Sequence, residues 1–217
     1  MPGIDEETGF VLKIIGIYPR AEPRVRGQIL VIDHRNGDLR YIIDASSATG
    51  WRTATATALA AKLLMSCDLG EKCLVKSLGV LGAGLQGFYH VRVFDSLFTL
   101  REIMLYDIDP SKINIFLESI KKISSSIYDK IRVVSRESLL ENSDVVIAAT
   151  SSRTPVIEGS RLRRNSIVLS IGAPRPVREL DEDTKRRARC ALVDTIEGVL
   201  RESDDVSGIE IVEIGDF

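Results

Sequence analysis

Histidine and cysteine are scarce in this chain, which has two of the first and three of the second among 217 residues. His34 and His90 stand far apart and outside any metal-ligand pattern such as HExxH, so no metal site is expected. Cys67, Cys73 and Cys190 form no CxxC, and an odd count argues against a secreted disulfide framework. They read as buried or surface thiols. Excess charge is missing too: 29 Lys+Arg against 31 Asp+Glu leave a net charge of −2, without the basic footprint of a nucleic-acid binder. The longest apolar stretch, Ala58 to Met65, is broken by Lys62 and falls far short of the ~20 residues of a membrane span. The opening MPGIDEETGF has neither a basic nor an apolar leader segment, so a cytoplasmic protein without membrane contact is expected. What remains is ordinary globular composition, 44% hydrophobic and 28% charged. That suffices for one large domain, or for one domain and part of another.

Periodicity divides the chain. Phe10–Tyr18, Gln28–Asp33 and Leu39–Ile43 are rich in β-branched residues and read as antiparallel strands. Asn36-Gly37 predicts a tight hairpin between the last two, because both residues tolerate positive φ. A helix follows over Trp51–Cys67, with Ala56, Leu59, Ala60, Leu63, Leu64 and Cys67 as its apolar stripe. From Val75 the rhythm becomes strand, helix, strand. Ser77–Leu81, Glu102–Tyr106, Ile131–Val134, Asp144–Ala149, Ser166–Ile171 and Cys190–Val193 are short apolar strands, as expected where both faces are covered. Helical segments at Gln86–Thr99, Ser111–Ser125, near Ser138 and at Asp181–Arg189 alternate with them. The expectation is an α/β fold with a Rossmann-like doubly wound parallel sheet.

The strongest motif is Gly82-Ala83-Gly84-Leu85-Gln86-Gly87, a complete G-x-G-x-x-G between a strand and a helix. Gly82 permits the tight turn, Gly84 lets backbone approach a pyrophosphate, and Gly87 allows close helix–strand packing. The following helix N-terminus presents free N–H groups to phosphates. Asp107 ends the next strand, 25 positions after Gly82, where a carboxylate accepts hydrogen bonds from the adenosine ribose. This favours NAD over NADP. Asp109 competes for the role, but before Pro110 it reads better as a helix N-cap. Thr150, Ser151, Gly172 and Ala173 follow later strands and are expected to line the nicotinamide pocket, although ordinary turn chemistry explains them equally well. Lys13 shares a strand face with Val11, Ile15 and Ile17, so it either snorkels to the rim or points into a site. Arg52, placed by this reading in the first helical turn, opposes the dipole and suggests an anionic partner.

The segments WRTATATALAAKLL, GVLGAGLQG, LYDIDPSK, DVVIAATSSRTPVI, IGAPRPVRELD and LVDTIEGVLRESDDV, in that order, resemble the ornithine cyclodeaminase/mu-crystallin family. The resemblance implies a partial small substrate and dimerisation domain over 1–70, a Rossmann dinucleotide-binding domain over 75–201, and a return segment over 202–217. It implies a homodimer and NAD-dependent chemistry at the C–N bond of an amino acid or cyclic imino acid. Lys13 matches the family lysine that holds the substrate carboxylate, and Arg52 the arginine that reaches the cofactor phosphates. Leu85, Gln86, Asp107 and Thr150 fall on cofactor-binding positions. Ala173 stands where cyclodeaminases and alanine dehydrogenases carry a proton-transferring aspartate, and Arg175-Pro176 looks more like ketimine reductases. Gln28 replaces a threonine that contacts the cofactor. The family pattern also extends beyond both ends of the chain. Three other readings compete with an imine reductase: an ornithine cyclodeaminase, a non-catalytic mu-crystallin-like nucleotide binder or fragment, and a Rossmann methyltransferase. Ala173 weighs against the first of these, and the Arg52 helix against the last.

Overall fold

A computed structural model describes residues 2–5, 9–18, 21, 25–172 and 175–216. The chain divides into two compact units, Met1–Thr53 and Ala54–Phe217. In the first, β1 (Pro2–Asp5), β2 (Gly9–Ile17), β3 (Val25–Ile32) and β4 (Leu39–Asp44) form an antiparallel sheet in the order β1-β2-β3-β4. The last three are the expected strands. PGID escapes sequence reading because it is short and opens on Pro-Gly. Lys13 pairs with Ile29, which pairs with Ile43.

The β3–β4 connection is longer than the expected hairpin. Of its two turn residues only Gly37 has positive φ, at 74°. Side chains favour the wider loop: Asp33 accepts from the Arg35 N–H at 2.8 Å and from Arg40 at 2.7 Å, while the Asn36 amide bonds Asp38. Helix α1 (Ala45–Leu64) starts earlier than Trp51 because the Asp44 carboxylate accepts from the Ser46 N–H at 3.0 Å. Arg52 therefore lies beyond the first turn, and the dipole argument for an anionic partner lapses.

The buried face of α1 is also not the expected one. Ala54, Ala58 and Ala61 join the core of the second unit and Thr57 is buried beside them, whereas Leu59 is 38% exposed. Small side chains bring the helix backbone close to its neighbours, so the alanine stripe wins over the leucine stripe.

The second unit opens with β5 (Cys73–Leu81), α2 (Leu85–Leu97), β6 (Phe98–Tyr106), α3 (Pro110–Ile123), α4 (Ser125–Tyr128), β7 (Ile131–Val133) and α5 (Arg136–Asn142). It continues through β8 (Val145–Ala148), β9 (Ile167–Ser170), α6 (Glu182–Arg187), β10 (Ala191–Val193), α7 (Ile196–Glu202) and β11 (Ile211–Glu213). Five parallel strands run in the order β7-β6-β5-β8-β9, with the topological switch between β5 and β8. β10, expected as a sixth, pairs instead with β11. Its residues are only half-buried, unlike the fully buried β8, so it needs no cover on both faces.

A further correction concerns the thiols. Cys67 and Cys73 form a disulfide that closes the turn between α1 and β5. DLGE folds the chain back so that the two Cα atoms lie 6.3 Å apart, within bridging range. Buried Lys62 secures the same turn by donating to the carbonyls of Asp68, Leu69 and Glu71. No helix of the described residues is long and apolar enough to cross a membrane.

Candidate functional site

The glycine turn follows β5 directly. Gly82 has φ +107°, and a Cβ there would lie 2.5 Å from the Ala149 carbonyl oxygen. At Gly87 a Cβ would lie 2.1 Å from the Gly82 oxygen, so α2 can pack this closely only on glycine. Gly84 is different. It is exposed, it is the N-cap of α2 without a side-chain cap, and a Cβ there would meet nothing within 4 Å. The first-turn N–H groups, including those of Leu85 and Gln86, thus face an open cradle without a capping side chain. Gln86 Oε1 is buried without a hydrogen-bond partner. The open cradle of N–H groups fits a dinucleotide pyrophosphate, whereas the Gln86 oxygen, which can only accept, contributes nothing to an anion.

Asp107 stands at the end of β6 as expected. Its Oδ2 accepts from the Ala83 N–H at 2.8 Å and its Oδ1 from the Asp109 N–H at 2.9 Å. The carboxylate is thereby fixed against the glycine turn, and each oxygen keeps a lone pair for a ribose hydroxyl. Asp109 caps α3 by accepting from the Ser111 N–H at 2.9 Å, the helix N-cap expected of it.

Sequence reasoning missed the group that organises the other half of this edge. Glu179, fully buried, lies beyond β9. Its Oε1 accepts from the Thr150 N–H at 2.7 Å and the Thr150 hydroxyl at 2.9 Å. Its Oε2 accepts from the Ser170 hydroxyl at 2.7 Å, the Ile171 N–H at 3.1 Å and the Gly172 N–H at 2.8 Å. Buried Asp205 in turn accepts from the backbone N–H groups of Glu179 and Leu180. The available signal was a glutamate enclosed in the segment Arg175-Pro176-Val177-Arg178-Glu179-Leu180-Asp181, followed by an apolar residue. His90 was missed in the same way. Its Nδ1 lies 2.7 Å from the Gln86 carbonyl, which can only accept, so Nδ1 carries the proton and Nε2 accepts from the Thr57 hydroxyl at 3.2 Å. Burial holds its pKa below the ordinary imidazole value.

Gly82, Asp107, Thr150 and Gly172 thus gather at the carboxyl ends of β5, β6, β8 and β9. Ser151 is exposed just beyond Thr150. Ala173 lies outside the described residues. In the first unit, burial first and the Arg52 charge second lower the pKa of Lys13. Those two cations are therefore electrostatic neighbours. Gln28 pairs with Ile14 and so projects from the sheet face opposite Lys13.

The profile of the ornithine cyclodeaminase/mu-crystallin family matches residues 1–211. Ketimine reductase mu-crystallin of Mus musculus is 30% identical, over 97% of this chain and 66% of its own length. Delta(1)-pyrroline-2-carboxylate reductase 1 of Burkholderia multivorans is 26% identical, over 89% of this chain and 60% of its own. Among solved structures, the Thermococcus litoralis Delta(1)-pyrroline-2-carboxylate reductase in complex with NADH and L-proline superposes with a TM-score of 0.80 at 29% identity. That match covers 93% of this chain and 61% of the other. The chain therefore spans somewhat less than two thirds of the relatives it matches.

Proposed function

The chain belongs to the ornithine cyclodeaminase/mu-crystallin family, and from that premise we propose that it serves an NAD(H)-dependent oxidoreductase. The reaction is at the C–N bond of an amino acid or cyclic imino acid, in the manner of the ketimine and pyrroline-2-carboxylate reductases it resembles. The observation that carries this reading is the glycine turn with an open cradle at Gly84, backed by Asp107 bonded to Ala83 N–H. Gly82, Gly84, Leu85, Gln86 and Gly87 hold the pyrophosphate, Asp107 the adenosine ribose, and Thr150, Ser151 and Gly172 the nicotinamide side. Arg52 supplies a further cation for the phosphates. The nicotinamide, when bound, supplies the hydride that with one proton converts C=N to CH–NH.

Lys13 holds the substrate carboxylate, and its lowered pKa brings proton transfer from the ammonium nearer to neutral pH. The unit Met1–Thr53 belongs to the substrate and dimerisation part, and the unit Ala54–Phe217 to the dinucleotide-binding domain. The protein works as a cytoplasmic homodimer. Its first sheet exposes Tyr41, Ile42 and Ile43 in a row, an apolar edge that a second copy would cover. Steady-state NADH oxidation with cyclic ketimines, set against pyruvate plus ammonia, tests the reading. Turnover of a cyclic ketimine is the expected result, and NADH binding without turnover of either substrate contradicts it.

A further inference from the structure

We infer that Glu179 is a positioning residue that sets where the nicotinamide end of the dinucleotide sits, an inference resting on the cofactor reading above. The five groups that donate to its carboxylate come from two separate strand ends: Thr150 after β8, and Ser170, Ile171 and Gly172 around the end of β9. β8 and β9 lie on the far side of the topological switch from Asp107 and β6, so they border the half of the crevice that the adenosine does not use. One carboxylate therefore fixes the spacing of both loops. Closeness is built in at Gly172, where a Cβ would lie 2.6 Å from the Glu179 Cδ. Glu179 is itself fixed from behind, because Asp205 accepts from its N–H at 2.8 Å.

All five donors are uncharged, and none of them is a formal counter-ion. Burial pushes the carboxyl above its ordinary range, against the pull of the hydroxyl and N–H donors of Ser170, Thr150 and Gly172. Burying a charge without a cation is costly, and a well-packed apolar side chain would hold a fold together at lower cost. What a carboxylate adds is convergence: two oxygens with four lone pairs draw backbone from two loops to one point.

Glu179→Gln tests this, because an amide cannot reproduce the pattern. Each oxygen accepts at least one backbone N–H, so either orientation of the glutamine turns its NH2 group on a donor. Affinity is measured by fluorescence titration for NADH and by competition for ADP-ribose, which carries the adenosine half without the nicotinamide. The expected result is a loss of roughly 10-fold or more in NADH affinity, equivalent to about 1.4 kcal/mol, with ADP-ribose changed less than about twofold. Equal weakening of both ligands would make Glu179 a fold staple and overturn the inference, as would unchanged NADH affinity.

Should Glu179→Gln fail to fold, Ser170→Ala removes one donor and leaves the charge in place. There NADH should weaken by about two- to fivefold with ADP-ribose unchanged, and any other pattern overturns the inference. A wild-type chain that binds NADH no tighter than ADP-ribose overturns it as well. Imine turnover is scored separately, so a chain that shows the binding pattern but reduces no imine refutes the reductase reading and leaves the positioning role standing.

Discussion

The two units dispose of their apolar side chains in opposite ways. In Ala54–Phe217 the large ones are inside: Phe94 stacks on Phe98 at 4.9 Å between ring centroids, and Leu78, Ile103, Leu105, Ile120 and Ile147 are sealed around them. In Met1–Thr53, among the described residues, Ala45 is the one hydrophobic side chain that is buried, while Ile14, Tyr41, Ile42 and Ile43 are open to solvent. A parallel sheet wrapped by helices supplies its own cover, but an antiparallel sheet whose two faces are both apolar does not. The comparison teaches that the second unit packs a core of its own, while the sheet of the first leaves large apolar side chains open to solvent.

The largest effect should come from breaking the self-sufficient core. Phe94→Ala removes a fully buried ring and is expected to cost about 3–5 kcal/mol, read as a lowered denaturant midpoint. A change below about 1 kcal/mol would mean that the second unit is loosely packed. Next is the Lys13 charge in the first unit. Lys13→Ala should lower kcat/KM by about 2–4 kcal/mol, roughly 30- to 1000-fold, with NADH affinity unchanged. Equal losses in both would mark Lys13 as structural, and unchanged turnover would leave it a rim lysine.

His90 gives a smaller, pH-dependent term. Its folded pKa lies below its unfolded value of 6.5, so below that pH the unfolded chain binds the proton first. This contribution to stability is complete above 6.5 and is lost as pH falls, by at most about 1.4 kcal/mol per pH unit. Urea titrations from pH 7.5 to 5 should show this slope, and His90→Gln should flatten it. The smallest effect on folding is expected in the first unit. Ile42 is 60% exposed, so Ile42→Ser should alter monomer stability by no more than about 0.5 kcal/mol. Sedimentation should nevertheless show weaker self-association. If it shows a monomer for wild type and variant alike, a second copy is not what covers this sheet.

Local signals made much of this legible. The glycine turn and the Asp109 cap were readable because each depends on residues a few positions apart, and the place of Asp107 at the end of β6 because that strand is itself an apolar run. Strands β5 to β9 were readable from apolar runs. The face of α1 was not, since alanine and leucine stripes coexist on one helix and only the neighbours decide between them. Cys67–Cys73 escaped because a count of thiols carries no information about a turn that folds back. Glu179 escaped for a further reason. Its donors lie 29 residues upstream at Thr150 as well as nearby at Gly172, and no sequence period links a carboxylate to two strand ends.

The most direct test of the central claim, that the second unit is built to hold NAD(H), is a fluorescence titration of the wild-type chain with NADH and then NADPH. Asp107, held in place by the Ala83 and Asp109 N–H groups, should accept from the ribose diol and repel a 2′-phosphate. The expected preference for NADH is about 2–4 kcal/mol, on the order of 30- to 1000-fold in affinity. Equal affinities, or tighter binding of NADPH, would contradict the assignment of Asp107 to the adenosine ribose.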